Sequence, residues 1–208
     1  MALAPSNAPA AAVAAIHRAL ARRATRSEFT SSSLVRANIH SLSLSMPHRL
    51  AYLHLDDIRR GADLRKVAEV RSWRFLVHER QSAVAKDGIA SDMEEHVPIA
   101  AATAAATGAK EGAEEYHLGE LNEGPFVEGT EKAIRAAEEL EEVRKGHFEV
   151  FLLIVPAVYV AALWLQNHDD GADIILTIPP SNPALVAYRP MTPKAFLEIL
   201  HGLAQKLR

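Results

Sequence analysis

Cysteine is absent from the 208 residues, which removes disulfides, a thiol nucleophile and every zinc site that needs thiolate ligands. The serine elbow Gly-x-Ser-x-Gly is missing too, because Ser72, Ser82, Ser91 and Ser181 lack glycines at that spacing. Neither Gly-x-Gly-x-x-Gly nor the phosphate-loop lysine pattern occurs, so nucleotide binding on such loops drops out. No apolar run reaches spanning length. Val150 to Leu165 is sixteen residues long and split by Pro156, whereas a membrane helix needs about 20, so no transmembrane segment is expected. Acids are scarce in residues 1–45, which hold five Arg against Glu28 alone. From Met46 onward 18 basic and 25 acidic residues leave a net charge of −7. That acidic body has no Lys/Arg cluster interleaved with aromatics, and a nucleic-acid partner is not expected.

The remaining composition, 49% hydrophobic and 24% charged, is that of an ordinary globular chain. Its length suits one substantial domain. Residues 1–45 read as an N-terminal extension, amphipathic or disordered, and residues 46–208 as a single α+β domain. From Pro5 to Ala24, Val13, Ile16 and Leu20 share one helical face, while Arg18, Arg22 and Arg26 recur every four residues opposite. With Ser27 and Ser31 to Ser33, residues 1–33 have the Arg-rich, Ser-rich, acid-poor composition of an organelle transit peptide. An Ala-rich extension without a targeting role has the same composition. The expected location is cytoplasmic, with organelle targeting through residues 1–33 as the alternative.

In the body, Leu42, Leu44 and Met46 alternate with serines and predict a strand over 39–46. Leu50 to Val70 has helical spacing, divided by Gly61 into two short helices. Within Ser72 to His78, Trp73, Phe75 and Val77 face one way and Arg74, Leu76 and His78 the other, the alternation of a strand. Gln81 to Gly112, Ala- and Thr-filled over Ile99 to Thr107, predicts a loop and then a short helix. Tyr116, Leu118 and Leu121 predict a strand over 114–122, closed by a Glu123-Gly124-Pro125 turn. Thr130 as N-cap and Gly146 as stop frame a surface helix with a thin apolar face of Ala133, Ala137, Leu140 and Val143. Phe148 to Val155 is a buried strand ended by Pro156, which has no N–H to donate. Ala157 to Leu165 reads as strand or helix, and Asp173 to Ile178 as a further strand of the same meander. Leu185 to Tyr188 is expected as a short edge strand. Thr192-Pro193 opens a last helix in N-cap and N1 order, with Phe196, Ile199, Leu200, Leu203 and Leu207 on one face. The expected fold is α+β, an antiparallel sheet centred on residues 148–178 covered by helices, behind the Ala/Arg-rich N-terminal extension.

The densest metal-capable set is His168, Asp169 and Asp170, with Asp173 close behind, directly after a buried strand. The same spacing is that of a solvated turn, where Asn and Asp bond their own backbone. It lacks the alternating acids of a calcium loop and the paired helical histidines of a zinc protease. His48 and His54 flank Tyr52 ahead of Asp56 and Asp57, either an acid-base set or helix-start carboxylates serving the helix dipole. Glu94-Glu95-His96 is a charged loop before Pro98. Lys110 to Lys145 carries eleven acids against five basic residues, a solvated face or a dock for a basic partner. In Gly124-Pro125-Phe126-Val127 the apolar pair either tucks into the core or forms a docking edge. Trp73 and Trp164 read as core aromatics.

The expected function is that of a non-catalytic protein-interaction or scaffold protein, without a cofactor, meeting a protein partner or itself. The alternative is a small metal-assisted hydrolase that uses His168, Asp169 and Asp170 with a divalent metal. Missing local motifs do not decide between them, because active sites assemble from distant residues.

Overall fold

The computed structural model describes residues 3, 6–61, 63–79, 98–107, 115–169 and 171–207. The alanine-rich start forms α1 (Ala10–Thr25), with Ala12, Ile16, Ala19 and Leu20 buried and Arg18, Arg22 and Arg26 exposed. Next comes α2 (Ser32–Arg36), N-capped by Ser31, whose Oγ accepts the Leu34 N–H at 3.2 Å. β1 (Leu42–Tyr52) begins after a 3-10 turn at Ile39–Ser41 and overruns its expected end, taking Leu50 to Tyr52 from the predicted helix. Within the rest of that segment lie two short helices, α3 (Leu55–Arg59) and α4 (Leu64–Val67), parted at Gly61 with φ 65°, while its last residues, Glu69 and Val70, are strand rather than helix.

Then follow β2 (Glu69–Glu79), β3 (Pro98–Thr107) and β4 (Glu115–Asn122). β3 corrects the predicted short helix: Ile99 to Thr107 lies between β2 and β4, paired to both. Alanine favours helix in isolation, but two flanking ladders override that local preference. Residues 81–97 and 108–112 of the expected loop lie outside the described residues. α5 (Pro125–Glu139) starts six residues earlier than expected, with Gly124 as N-cap at φ 85° and Pro125 at N1. Thr130 is therefore interior, its Oγ1 donating to Phe126 O at 2.8 Å. α6 (Glu141–Lys145) completes the segment up to Gly146.

β5 (Phe148–Val155), a 3-10 turn at Pro156–Val158, β6 (Val160–Asn167) and β7 (Ile174–Thr177) form the predicted meander, and 160–165 is strand rather than helix. The edge strand is β8 (Pro190–Met191), not Leu185 to Tyr188, of which Ala187 makes only a single bridge to Thr177. α7 (Pro193–Ala204) is capped by Thr192, whose Oγ1 accepts the Ala195 N–H at 3.2 Å. It buries Phe196, Leu200 and Ala204; Leu207 lies past its end and is exposed.

All eight strands share one open sheet in the order β4-β3-β2-β1-β5-β6-β7-β8. Every ladder is antiparallel except β1 with β5, which is parallel and needs a long crossover. Alternate side chains of β5 serve opposite faces: Val150 and Leu152 join Val127, Ala133, Ile134 and Ala137 of α5, while Phe151 and Leu153 join Ile58, Leu64 and α7's Phe196 and Leu200. On that second face, α1 and Leu34 pack on Trp73, Phe75 and Val77 of β2 and Ala100, Ala102 and Ala104 of β3. The described core is thus an α+β fold whose sheet extends well beyond 148–178.

Candidate functional site

The residues singled out from the sequence fall into separate places. His168 turns to Glu149, Nε2 to Oε2 at 3.3 Å, whereas Asp169 faces His147, accepting its backbone N–H at 2.9 Å with the ring nitrogen at 3.3 Å. All but the half-buried Glu149 are exposed. The His147 N–H bond holds the Asp169 carboxyl below its ordinary range. Asp170 and Glu94-Glu95-His96 lie outside the described residues. Among the described residues no three His, Asp or Glu groups gather as a ligand set. His54 pairs with Glu69 at 3.2 Å and Asp57 with Arg60 at 2.7 Å, both at the surface.

Asp173 has a different setting. It is buried where β6 turns to β7, and it accepts from Trp164 Nε1 at 3.0 Å, the Asn167 N–H at 3.0 Å and Arg65 Nε at 2.9 Å, with Arg65 Nη2 on its other oxygen. Burial alone would raise its pKa, but the Arg65, Asn167 and Trp164 bonds outweigh burial and hold it below the usual range. This carboxylate is fully occupied in pinning α4 to the sheet.

His48 is the part of the predicted sets that enters a site. β1 carries a bulge between Ser45 and His48, with Met46 at φ 45°, and such a bulge re-aims the side chain that follows it. His48 then stands directly opposite Arg74 of β2, which stands opposite Thr103 of β3, which stands opposite Glu120 of β4. Cross-strand partners point to one face, so the four form a row under the start of α5. His48, Arg74 and Thr103 are 1%, 2% and 4% exposed. His48 Nδ1 donates to Met46 O at 2.6 Å, because a carbonyl only accepts, and Nε2 is left as a lone pair. Burial, assisted by the Arg74 charge and opposed by the Met46 bond, lowers its pKa to about 4, so the ring is neutral.

Arg74 Nη1 donates to Asn122 Oδ1 at 3.0 Å, and the Phe126 ring lies 5.1 Å from Cζ. Burial pushes the guanidinium down to about 10, against the nearby Glu120 and Tyr52. Of six buried side-chain atoms left without a partner among the described residues, four are in this row: His48 Nε2, Arg74 Nε and Nη2, and Thr103 Oγ1. The others are Thr177 Oγ1 and Arg49 Nε, the latter 3.3 Å from the Glu149 carboxylate. Each unmet group costs about 1–3 kcal/mol, so their clustering marks one place where polar capacity is held in reserve. Arg74 and Thr103 were not legible as a site from sequence, since each looked like one member of an alternating strand. The available signal was an arginine in the middle of a strand whose opposite face is aromatic.

A second surface feature lies at the β5–β6 turn. Tyr159 is 85% exposed and adopts φ 55°, a left-handed backbone that bulky residues rarely take. Its carbonyl accepts from Asn182 N at 2.8 Å and Ser181 Oγ at 3.3 Å, and Asn182 Nδ2 donates to Val158 O at 3.1 Å. The turn and the 179–187 loop are therefore stitched together, and Pro156, Ala157, Pro183 and Val186 are exposed around the ring.

The fold and these sites define an α+β protein with an open, mostly antiparallel eight-stranded sheet. No family model, curated protein or solved structure matches the chain. Among the described residues no helix is long and apolar enough to cross a membrane.

Proposed function

We propose that the chain is a non-catalytic interaction protein that associates with a second copy of itself through the Tyr159 turn. The observation carrying this reading is Tyr159 itself. Its left-handed backbone costs about 1–3 kcal/mol, and the fold recovers nothing from the ring, which packs on no core. A rigidly held, solvent-facing aromatic is the residue type enriched at interface centres.

The surroundings supply the rest of a patch. A tyrosine ring buries about 150–250 Å² against the ~800 Å² per partner of a standard interface, so the 156–159 and 179–187 segments must contribute. Neither contains a charged residue. A charged patch would repel its own copy across a two-fold axis, and this one does not. That favours a second copy over a charged partner.

Sedimentation velocity over a concentration series tests the reading, comparing wild type with Tyr159→Asn. Asparagine tolerates the left-handed backbone, so the variant keeps the turn and loses only the ring. Wild type should shift to a dimer as concentration rises and the variant should remain monomeric, with a melting temperature at low concentration no lower than that of wild type. A wild type that stays monomeric at its solubility limit, or a variant that associates equally well, overturns it.

A further inference from the structure

Among the described residues, Arg74 is a buried arginine with no carboxylate bonded to it. Arg74 Nε and Nη2, its two unpartnered nitrogens, form one edge of the guanidinium. That edge presents two parallel N–H groups and matches the two oxygens of a carboxylate in a bidentate pair. On one side of it in strand register stands the unpaired Thr103 hydroxyl, able to donate to the same carboxylate. On the other stands His48 Nε2, which in its fixed tautomer only accepts. The row therefore offers two donors for an anionic edge, a third donor beside them, and one acceptor set apart.

The complement of that pattern is a carboxylate bearing a neighbouring hydroxyl. We propose that Arg74, Thr103 and His48 bind a small hydroxycarboxylate: the carboxylate oxygens on Arg74 Nε and Nη2, a bond from Thr103 to one of them, and the ligand hydroxyl donating to His48 Nε2. A phosphate dianion fits the fork less well, because it brings a second charge that Arg74 alone does not neutralise while Glu120 adds another negative charge nearby. Phe126 is the cover. Its half-buried ring lies over Arg74 and supplies cation–π attraction but no lone pair. It sits on the first turn of α5, immediately after Gly124 and Pro125, where the side chain can change rotamer without unwinding the helix.

The test uses the full chain, with glycolate, acetate, inorganic phosphate and chloride as probes at matched ionic strength, read by calorimetric titration and by the NMR shift of the Arg74 Nε–H. Glycolate should bind more tightly than acetate, move the Arg74 signal and leave chloride without effect. Arg74→Met, which removes an isolated buried charge and so should fold, should weaken glycolate binding by about 10- to 100-fold. His48→Phe should abolish the preference for glycolate over acetate. Phe126→Ala should speed glycolate association. The assignment is overturned if the response to chloride equals that to glycolate, if phosphate binds more tightly than glycolate, if Arg74→Met binds glycolate as tightly as wild type, or if neither wild type nor Phe126→Ala moves the Arg74 signal with any carboxylate.

Discussion

At the scale of single residues, two of the buried titratable groups, His48 and Asp173, act at different pH. His48 is held near pKa 4 from an ordinary value of 6.5. As pH falls the unfolded chain takes up that proton first, so the contribution is complete above about 6.5 and is lost on the way down to 4. Below 4 both states are protonated and this group changes nothing more. The full loss is on the order of 3 kcal/mol, and urea midpoints measured from pH 7 to 4 should fall accordingly in wild type and stay flatter in His48→Gln. Asp173, with its pKa depressed below 3.8, contributes in full well above that value and is lost as pH falls through it, so its loss follows that of His48. The sequence displayed His48 but not its neighbours. His48, Arg74 and Thr103 are far apart in the chain, and nothing local in any of their segments announces the bulge at Met46 or the register that aligns them.

Among the elements, α5 comes close to the strand end after β7 at Gly129. A Cβ built on Gly129 would lie 2.5 Å from Pro179 O and 3.0 Å from Ile178 Cγ2. Neither contact can relax by turning a flexible side-chain end, since one is a backbone carbonyl and the other belongs to a buried residue. Gly129→Ala is thus expected to lose about 1–3 kcal/mol in urea denaturation. Gly202→Ala, in α7 with nothing within 4 Å, should gain about 0.5–1 kcal/mol. Element identity was legible where side-chain pattern and propensity agree, as in Trp73 to Val77, Phe148 to Val155 and the Thr192-Pro193 helix start. It failed where they diverge: the alanines of β3 favour helix alone and are strand only because β2 and β4 flank them. The start of α5 was misplaced because Gly124-Pro125 serves equally as a turn and as an N-cap followed by N1.

At the level of the whole molecule, α1 belongs to the packing of the sheet. Its Ala12, Ile16 and Leu20 share one cluster with Trp73, Phe75 and Val77, although composition set residues 1–45 apart as an extension. Arginine spacing described the outer face of that helix correctly and said nothing of what its inner face meets. A chain beginning at Asn38 should therefore expose that aromatic face, bind a hydrophobic dye such as ANS and melt at lower temperature than the full chain. Equal melting with no dye binding would mean that α1 adds nothing to the stability of the sheet.

The one parallel ladder among the described strands, Arg49 to Tyr52 against Phe151 to Ile154, bears on how the chain reaches this state. Each half of the sheet pairs strands in chain order, β1 through β4 and β5 through β8, so each can zip outward from its own turns. Of the ladders between the described strands, the seam joins the segments farthest apart in sequence, separated by everything from β2 to α6, and so carries the largest loop-closure entropy among those ladders. Closure of that seam, rather than the growth of either half, is the step expected to set the speed of folding.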